Sequence, residues 1–330
     1  MGKAVIYYIL LMLLAAGCIY FIVNKNTHFD DAYTEDTINE LNIWDSTYPG
    51  PSLTGFQSRY AAPTNDNVNA DQFKDTCYAA LLIDNENREN IVSYNALRRI
   101  YPASTTKLMT GIVVCDALNN GEISLDDEVT LSHDTYISER GALLSMLKRG
   151  YTISVRNLLY GVMMRSYNDY CEILAEYICG DTAVFVDRMN QKAREIGATN
   201  SHFVNTHGLH EDNHYITAYD MYLIINEAKK YKILQEIDSY DTFTYTFKDA
   251  DGVVWEDDIS PTNQFLAGNY KLPSNIEIHE WKTGTTDLAG NILTMNVEIN
   301  KKSYSLFVAD GASQDSLYDK IGIMFNLTRK

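Results

Sequence analysis

Pro102-Ala103-Ser104-Thr105-Thr106-Lys107-Leu108-Met109 is the stretch on which the fold turns. Ser104 and Lys107 are three residues apart, so on a helical turn they share a face, and Leu108, Ile112, Val113, Val114 and Leu118 continue at helical spacing. The pattern predicts a helix over Lys107 to Leu118 with a hydroxyl and an amine at its start. Two more signatures follow in order, Ser166-Tyr167-Asn168 and Lys282-Thr283-Gly284. Together they supply a serine nucleophile, a lysine to take its proton, a second polar pair and a strand-borne cation. That is a set for acyl transfer through a covalent serine ester.

Order and context carry the signal, because single matches recur. Ser145-Met146-Leu147-Lys148 repeats the first spacing and Ser93-Tyr94-Asn95 the second. Ser145 stands just before Lys148-Arg149-Gly150, with no apolar run to carry the pair inward, and reads as a surface segment. Lys-Thr-Gly occurs once.

The 330 residues, 45% hydrophobic, suffice for one large domain or two modest ones. A net charge of −17 excludes nucleic acid and anionic headgroups as natural partners, since both would be repelled. Residues 4–23 carry no charged side chain. At about 1.5 Å per residue they match the ~30 Å bilayer core. Lys3 precedes them and Asp30, Asp31, Glu35 and Asp36 follow, so a single span with the amino terminus inside is expected. Residues 1–3 are then a cytoplasmic stub and the rest is extracytoplasmic. Cleavage near Ala15-Ala16-Gly17 is the alternative, giving a secreted chain, although Ile19 to Val23 stay apolar beyond it. The five cysteines have no metal spacing, and the four downstream ones, Cys77, Cys115, Cys171 and Cys179, read as small buried hydrophobes in a compartment that permits a bridge. No metal or cofactor is expected.

Residues 24–70 are polar and acidic and are expected as a stalk, with one short helix around Asp36 to Trp44. A catalytic domain is expected over 71–330. Its reading begins with a hairpin, strands Cys77 to Asp84 and Ile91 to Asn95. A mostly helical middle follows, with segments Val155 to Met164, Asp169 to Ile178, Thr182 to Ile196 and Ala218 to Lys230. Strands return at Glu280 to Gly284, Asn291 to Asn300 and Ser303 to Ala312, before a helix over Asp315 to Leu327. Strands on both sides of a helical block imply an α+β fold, one antiparallel sheet completed by distant parts of the chain and flanked by helices, with a mainly helical region inserted.

On these signatures, and on Leu174-Ala175-Glu176, Met189-Asn190, Asn205-Thr206-His207-Gly208-Leu209, Thr217-Ala218 and Asp220-Met221, the chain resembles a penicillin-binding protein of the D-alanyl-D-alanine carboxypeptidase family. The resemblance covers roughly Thr76 to Ala312. It implies the transpeptidase fold shared with serine β-lactamases and a bacterial serine peptidase. Such an enzyme trims peptidoglycan stem peptides ending in D-Ala-D-Ala and is acylated by β-lactams. Matched by position, it makes Ser104 the nucleophile, Lys107 the general base and Ser166 the relay toward the leaving amine. Asn168 orders Lys107 and the substrate backbone, and Lys282, Thr283, Gly284 and Thr285 form the substrate-binding strand. Two departures stand out: Tyr167 replaces a usually small residue, and Arg329 is the only arginine after the Lys-Thr-Gly strand, leaving carboxylate recognition to Lys282, Thr283 and Thr285.

A lysine can act as base only when neutral, far below its usual value near ~10.4, and both burial and a second ammonium push it down. The expectation is a neutral Lys107, a charged Lys282, and backbone N–H groups of Ser104 and Thr285 as oxyanion donors. His207 reads as a turn marker beside the cleft. A β-lactamase is the nearest rival activity, but Glu195 and Glu211 have no setting for activating a deacylating water, so slow deacylation is expected. The same signatures would also suit an endopeptidase with this chemistry, or a non-catalytic wall-binding or sensor protein that keeps the fold.

Overall fold

A computed structural model of the chain describes residues 60–64, 67–139 and 141–328. The expected span 4–23, its stub 1–3, the stalk through residue 59 with its short helix, Cys18 and Arg329 lie outside the described residues. Among the described residues no helix is long and apolar enough to cross a membrane.

The central sheet is antiparallel with strand order β2-β1-β9-β8-β7, built from β1 (Cys77–Asp84), β2 (Glu89–Tyr94), β7 (Ile276–Thr286), β8 (Gly290–Ile299) and β9 (Lys302–Asp310). β1 pairs with β9, so the two ends of the domain close one sheet around the helical insertion. Alternation within the strands feeds two cores. Ala79, Leu81 and Ile83 face the helical block, while Ala80 and Leu82 face the carboxy-terminal helix α7 (Gln314–Leu327) with its Leu317, Ile321 and Met324.

The helical block contains α1 (Lys107–Asn119), α2 (Val155–Tyr160), α3 (Asn168–Cys179), α4 (Thr182–Ile196), α5 (Ala218–Ala228) and α6 (Lys232–Asp238). The sequence suggests one apolar face for α1; instead it is buried nearly all round, from Lys107 through Cys115, and is the hub of the block. The expected 155–164 helix changes winding after Tyr160: Gly161–Arg165 form a wider π turn that ends at Ser166 in the left-handed region, φ 67°. A side chain at Gly161 would meet the Tyr170 ring at 2.4 Å, so glycine lets the wide turn close on α3.

A second antiparallel sheet, β3 (Glu128–Thr130), β4 (Thr152–Ser154), β5 (Phe243–Lys248) and β6 (Val254–Ile259), lies within and just after the segment expected to be helical. Strands of three residues are too short to show a period of two. The stalk also ends earlier than expected, because residues 60–64 and 67–70 pack on the folded body. Ala61 is fully buried, its carbonyl accepts from Tyr219 Oη at 2.7 Å, its N–H donates to Tyr222 Oη at 3.2 Å, and Val68 bridges to Ser93. Cys77, Cys115 and Cys171 are buried free thiols and Cys179 is a half-buried one.

Candidate active site

Ser104 lies in a single 3₁₀ turn, Ala103–Thr106, that leads directly into α1. Ala103 has φ 46°, a left-handed conformation uncommon for a residue with a Cβ. Two glycines make room for this turn. At Gly208, φ 90°, a Cβ would come within 1.8 Å of the Ala103 carbonyl oxygen; at Gly284 it would stand 3.0 Å from both the Ser104 nitrogen and the Ala103 Cβ. The 205–209 loop and β7 therefore press on opposite sides of the same turn.

Lys107 is fully buried beneath Ser104. Its Nζ is 2.9 Å from Ser104 Oγ, and it donates to Asn168 Oδ1 and to the His207 carbonyl, each at 2.7 Å. Both latter groups only accept, so they fix two N–H bonds, and the third direction of the nitrogen is turned to the serine hydroxyl. Burial pushes the Lys107 ammonium down to about 8. Lys282, also fully buried, points from β7 to the helical side, where its Nζ donates to Ser166 Oγ at 3.0 Å and to the Thr283 carbonyl at 3.1 Å. Burial, then repulsion by Lys107, holds it well below the ordinary lysine value. Burial thus acts on Lys282 as well as on Lys107, and among the described residues no carboxylate lies within ion-pair distance of Lys282. Against the expectation of a neutral Lys107 and a charged Lys282, burial pushes both lysines down, Lys107 to about 8 and Lys282 well below the ordinary value, with the Asp238 carboxylate offsetting part of this at Lys282.

Ser104, Ser166, Asn168, Thr283, Gly284 and Thr285 open onto one cleft of about 800 Å³. All eight residues singled out from the sequence therefore meet: six line the cleft and the two lysines lie under its floor. β7 is the edge of its sheet, so its outer backbone groups face the cleft unpaired by any described strand. Thr283 Oγ1 is 2.6 Å from Thr262 Oγ1, a partner for which the sequence offered no signal. Nor did it announce the His207 carbonyl as a ligand of Lys107. Asn205 shapes that loop, its Oδ1 accepting from the N–H of His207 and Gly208. The His207 ring is held neutral, pushed down to about 3 by burial and then by Lys107.

The matching motifs behave differently when they fall elsewhere. Ser145 and its N–H donate to Asp169 at the start of α3, and Lys148 is exposed far down the loop. Ser93 is buried in β2 and donates to the Thr64 carbonyl. Neither has a lysine against its hydroxyl. Among the described residues no cluster of His, Cys, Asp or Glu is arranged to hold a metal.

A serine hydroxyl against a buried lysine whose ammonium is pushed down, beside a second Ser–Lys pair, on a sheet interrupted by a helical block, defines an acyl-serine scaffold. The chain belongs to the peptidase S11 family, D-alanyl-D-alanine carboxypeptidase, whose profile matches residues 66–313. It is 34% identical to the D-alanyl-D-alanine carboxypeptidase DacF of Bacillus subtilis over 171 residues, 52% of this chain and 42% of DacF. With DacC of Escherichia coli, also a D-alanyl-D-alanine carboxypeptidase, it shares 33% over 216 residues, 64% of this chain and 51% of DacC. The chain thus spans about half the length of these curated relatives. Penicillin-binding protein D2 from Listeria monocytogenes, solved in a cefotaxime-bound form, superposes with a TM-score of 0.64 at 25% identity over 81% of this chain and 100% of that one.

Proposed function

We propose that this protein is a serine-type D-Ala-D-Ala carboxypeptidase acting on peptidoglycan stem peptides outside the bacterial cytoplasm, and that β-lactams acylate it at Ser104. The observation that carries the reading is the Lys107 nitrogen, 2.9 Å from Ser104 Oγ and anchored by two acceptors on its other side.

The peptide lies along the free edge of β7 as an added strand. Its terminal carboxylate meets the hydroxyls of Thr283 and Thr285, and that anion restores the charge of Lys282 beneath them. Neutral Lys107 takes the Ser104 proton as Oγ bonds to the penultimate D-Ala carbonyl carbon. The oxyanion is held by the N–H groups of Ser104 and Thr285. As the tetrahedral species collapses, the C–N bond breaks and Ser166, resting on Lys282, passes its proton to the departing amine and is reprotonated at the expense of the Lys107 ammonium, which becomes neutral again. Water then cleaves the ester, giving one proton to neutral Lys107, which returns it to Ser104 Oγ as the acyl group leaves. Asn168 keeps its Oδ1 on Lys107 throughout.

The apolar segment 4–23 supports a single-pass anchor in the cell membrane, with residues 24–59 as tether. The acidic surface supports a wall substrate over any nucleic acid. The test is fluorescent penicillin labelling of wild type and Ser104→Ala, with the labelled peptide identified by mass spectrometry and D-alanine release from a D-Ala-D-Ala peptide measured in parallel. Label on Ser104 with peptide turnover is the expected result. Label without turnover would point to a wall-binding or sensor protein, and no label would remove the reading altogether.

A further inference from the structure

The oxyanion donor at Ser104 is a backbone N–H and cannot be deleted by substitution, but the other end of its peptide unit is held by side chains. In a trans peptide the carbonyl of residue 103 and the N–H of residue 104 point in opposite directions from one rigid plane. Ala103 O lies on the Gly208 side of the turn, and Ser104 N lies on the Gly284 side, next to the cleft. Whatever grips the oxygen therefore aims the N–H.

Two buried side chains form that grip. Thr106 Oγ1 donates to Ala103 O at 2.9 Å and lies 2.9 Å from His214 Nε2. Thr106 is fully buried and His214 is 1% exposed. The threonine hydroxyl has one proton, committed to the carbonyl, so the imidazole must donate from Nε2. The reverse arrangement would leave Nδ1–H as a buried donor, and among the described residues Nδ1 has no hydrogen-bond partner. An orphaned N–H is costlier than an orphaned lone pair, so the Nε2–H tautomer wins. Burial pushes the ring down to about 3, which keeps it neutral throughout the working range. The ring is steadied edge-on against Phe203, centroids 5.7 Å apart, and the backbone N–H of His214 donates to the Glu211 carbonyl at 2.9 Å.

We propose that His214 and Thr106 are positioning residues for the oxyanion hole. The relay His214 Nε2–H to Thr106 O–H to Ala103 C=O locks the 103–104 peptide plane, in its left-handed conformation, with the Ser104 N–H aimed into the cleft. Neither side chain touches substrate. The proposal rests on the acyl-serine reading above and adds to it His214, which lies outside the three signatures and 108 residues along the chain from Thr106.

The test compares full-length wild type, His214→Ala, His214→Gln, Thr106→Val and Thr106→Ser. Two quantities are read: the rate constant of acylation by a penicillin, and the infrared stretching frequency of the ester carbonyl in the acyl-enzyme. A carbonyl less polarised by its hole stretches at higher frequency, a signature that loss of global stability alone does not produce. Deleting an oxyanion donor outright costs about 10²- to 10³-fold; misaiming one is expected to cost about ten-fold. So T106V and H214A should acylate about ten-fold more slowly with the band moved up. T106S, which keeps a hydroxyl, and H214Q, whose amide N–H can donate from a similar place, should stay within about three-fold. The double variant T106V/H214A should be no slower than T106V, since the histidine acts only through the hydroxyl. If H214A fails to fold, the nearly isosteric T106V carries the test. Folded T106V acylating at the wild-type rate with an unmoved band overturns the proposal while leaving the acyl-serine reading intact. A wild type that no penicillin acylates overturns both.

Discussion

At the scale of the residue, the proposed acylation turns on whether Lys107 carries a proton. The neutral amine is the form that can accept from Ser104, and burial brings the group down to about 8. Below that value most molecules hold an ammonium, so the penicillin acylation rate constant should rise about ten-fold per pH unit toward 8 and level off above it. A profile from pH 6 to 10 checks this, and a rate independent of pH over 6 to 8 would exclude Lys107 as the base. Removing the amine in Lys107→Ala should cost about 10²- to 10⁴-fold in acylation, while Ser104 remains the only labelled site. Gly208 poses a steric question. With φ 90° and a would-be Cβ only 1.8 Å from Ala103 O, Gly208→Ala must move the turn that bears Ser104. It should destabilise the fold by about 3 kcal/mol or more, seen as a lowered melting temperature, and slow acylation in whatever remains folded.

At the scale of the element, the cleft wall depends on a segment that carries no catalytic group. Asp169 accepts the Ser145 N–H at 3.1 Å and its hydroxyl, and the Asn168 N–H donates to the Leu143 carbonyl at 2.8 Å, so residues 143–145 are fastened to the first turn of α3. Burial raises Asp169, which makes those donors matter. Ser145→Ala should leave penicillin labelling in place and cost about 1–2 kcal/mol locally, read as faster hydrogen exchange over residues 131–150. Loss of label would instead mean that the second Ser-x-x-Lys takes part in the chemistry. Elements of this kind mark how far the sequence could be read. β1 and α4 have the expected bounds, Cys77–Asp84 and Thr182–Ile196, because sustained apolar periodicity and clear stop signals sit in the residues themselves. The three signatures were legible for a related reason: each is a run of adjacent side chains with fixed chemistry. β3 and β4 were not, at three residues each, and neither was the π turn that delivers Ser166, where Gly161 lies against the Tyr170 ring of the next helix, a contact between elements that a local reading does not reach. The left-handed Ala103, the His207 carbonyl under Lys107 and the Thr262 hydroxyl on Thr283 are backbone or long-range facts that no local pattern encodes.

At the scale of the whole molecule, the site exists because β1 and β9, more than two hundred residues apart in sequence, close the sheet that brings Lys282 under Ser166. A mobile β1–β2 end would loosen that sheet, and the segment just before it helps to prevent this. Residues 60–70 read as the end of a polar stalk, yet Ala61 is clasped between Tyr219 and Tyr222 of α5, and Val68 extends the ladder of β2 through Ser93, whose hydroxyl also holds the Thr64 carbonyl. Two backbone groups bonded to buried tyrosines, one bridge and a buried alanine amount to about 2–4 kcal/mol. A chain beginning at residue 60 should therefore melt close to the full-length protein. One beginning at residue 71 should melt lower by about 2–4 °C for each kcal/mol lost, with penicillin acylation retained below the transition. Equal melting temperatures for the two truncations would assign residues 60–70 to the tether after all. A loss of acylation at temperatures where the shorter chain is still folded would show that this clasp reaches the cleft through α5, whose Asn226 bonds Ser305 of β9, rather than acting only on stability.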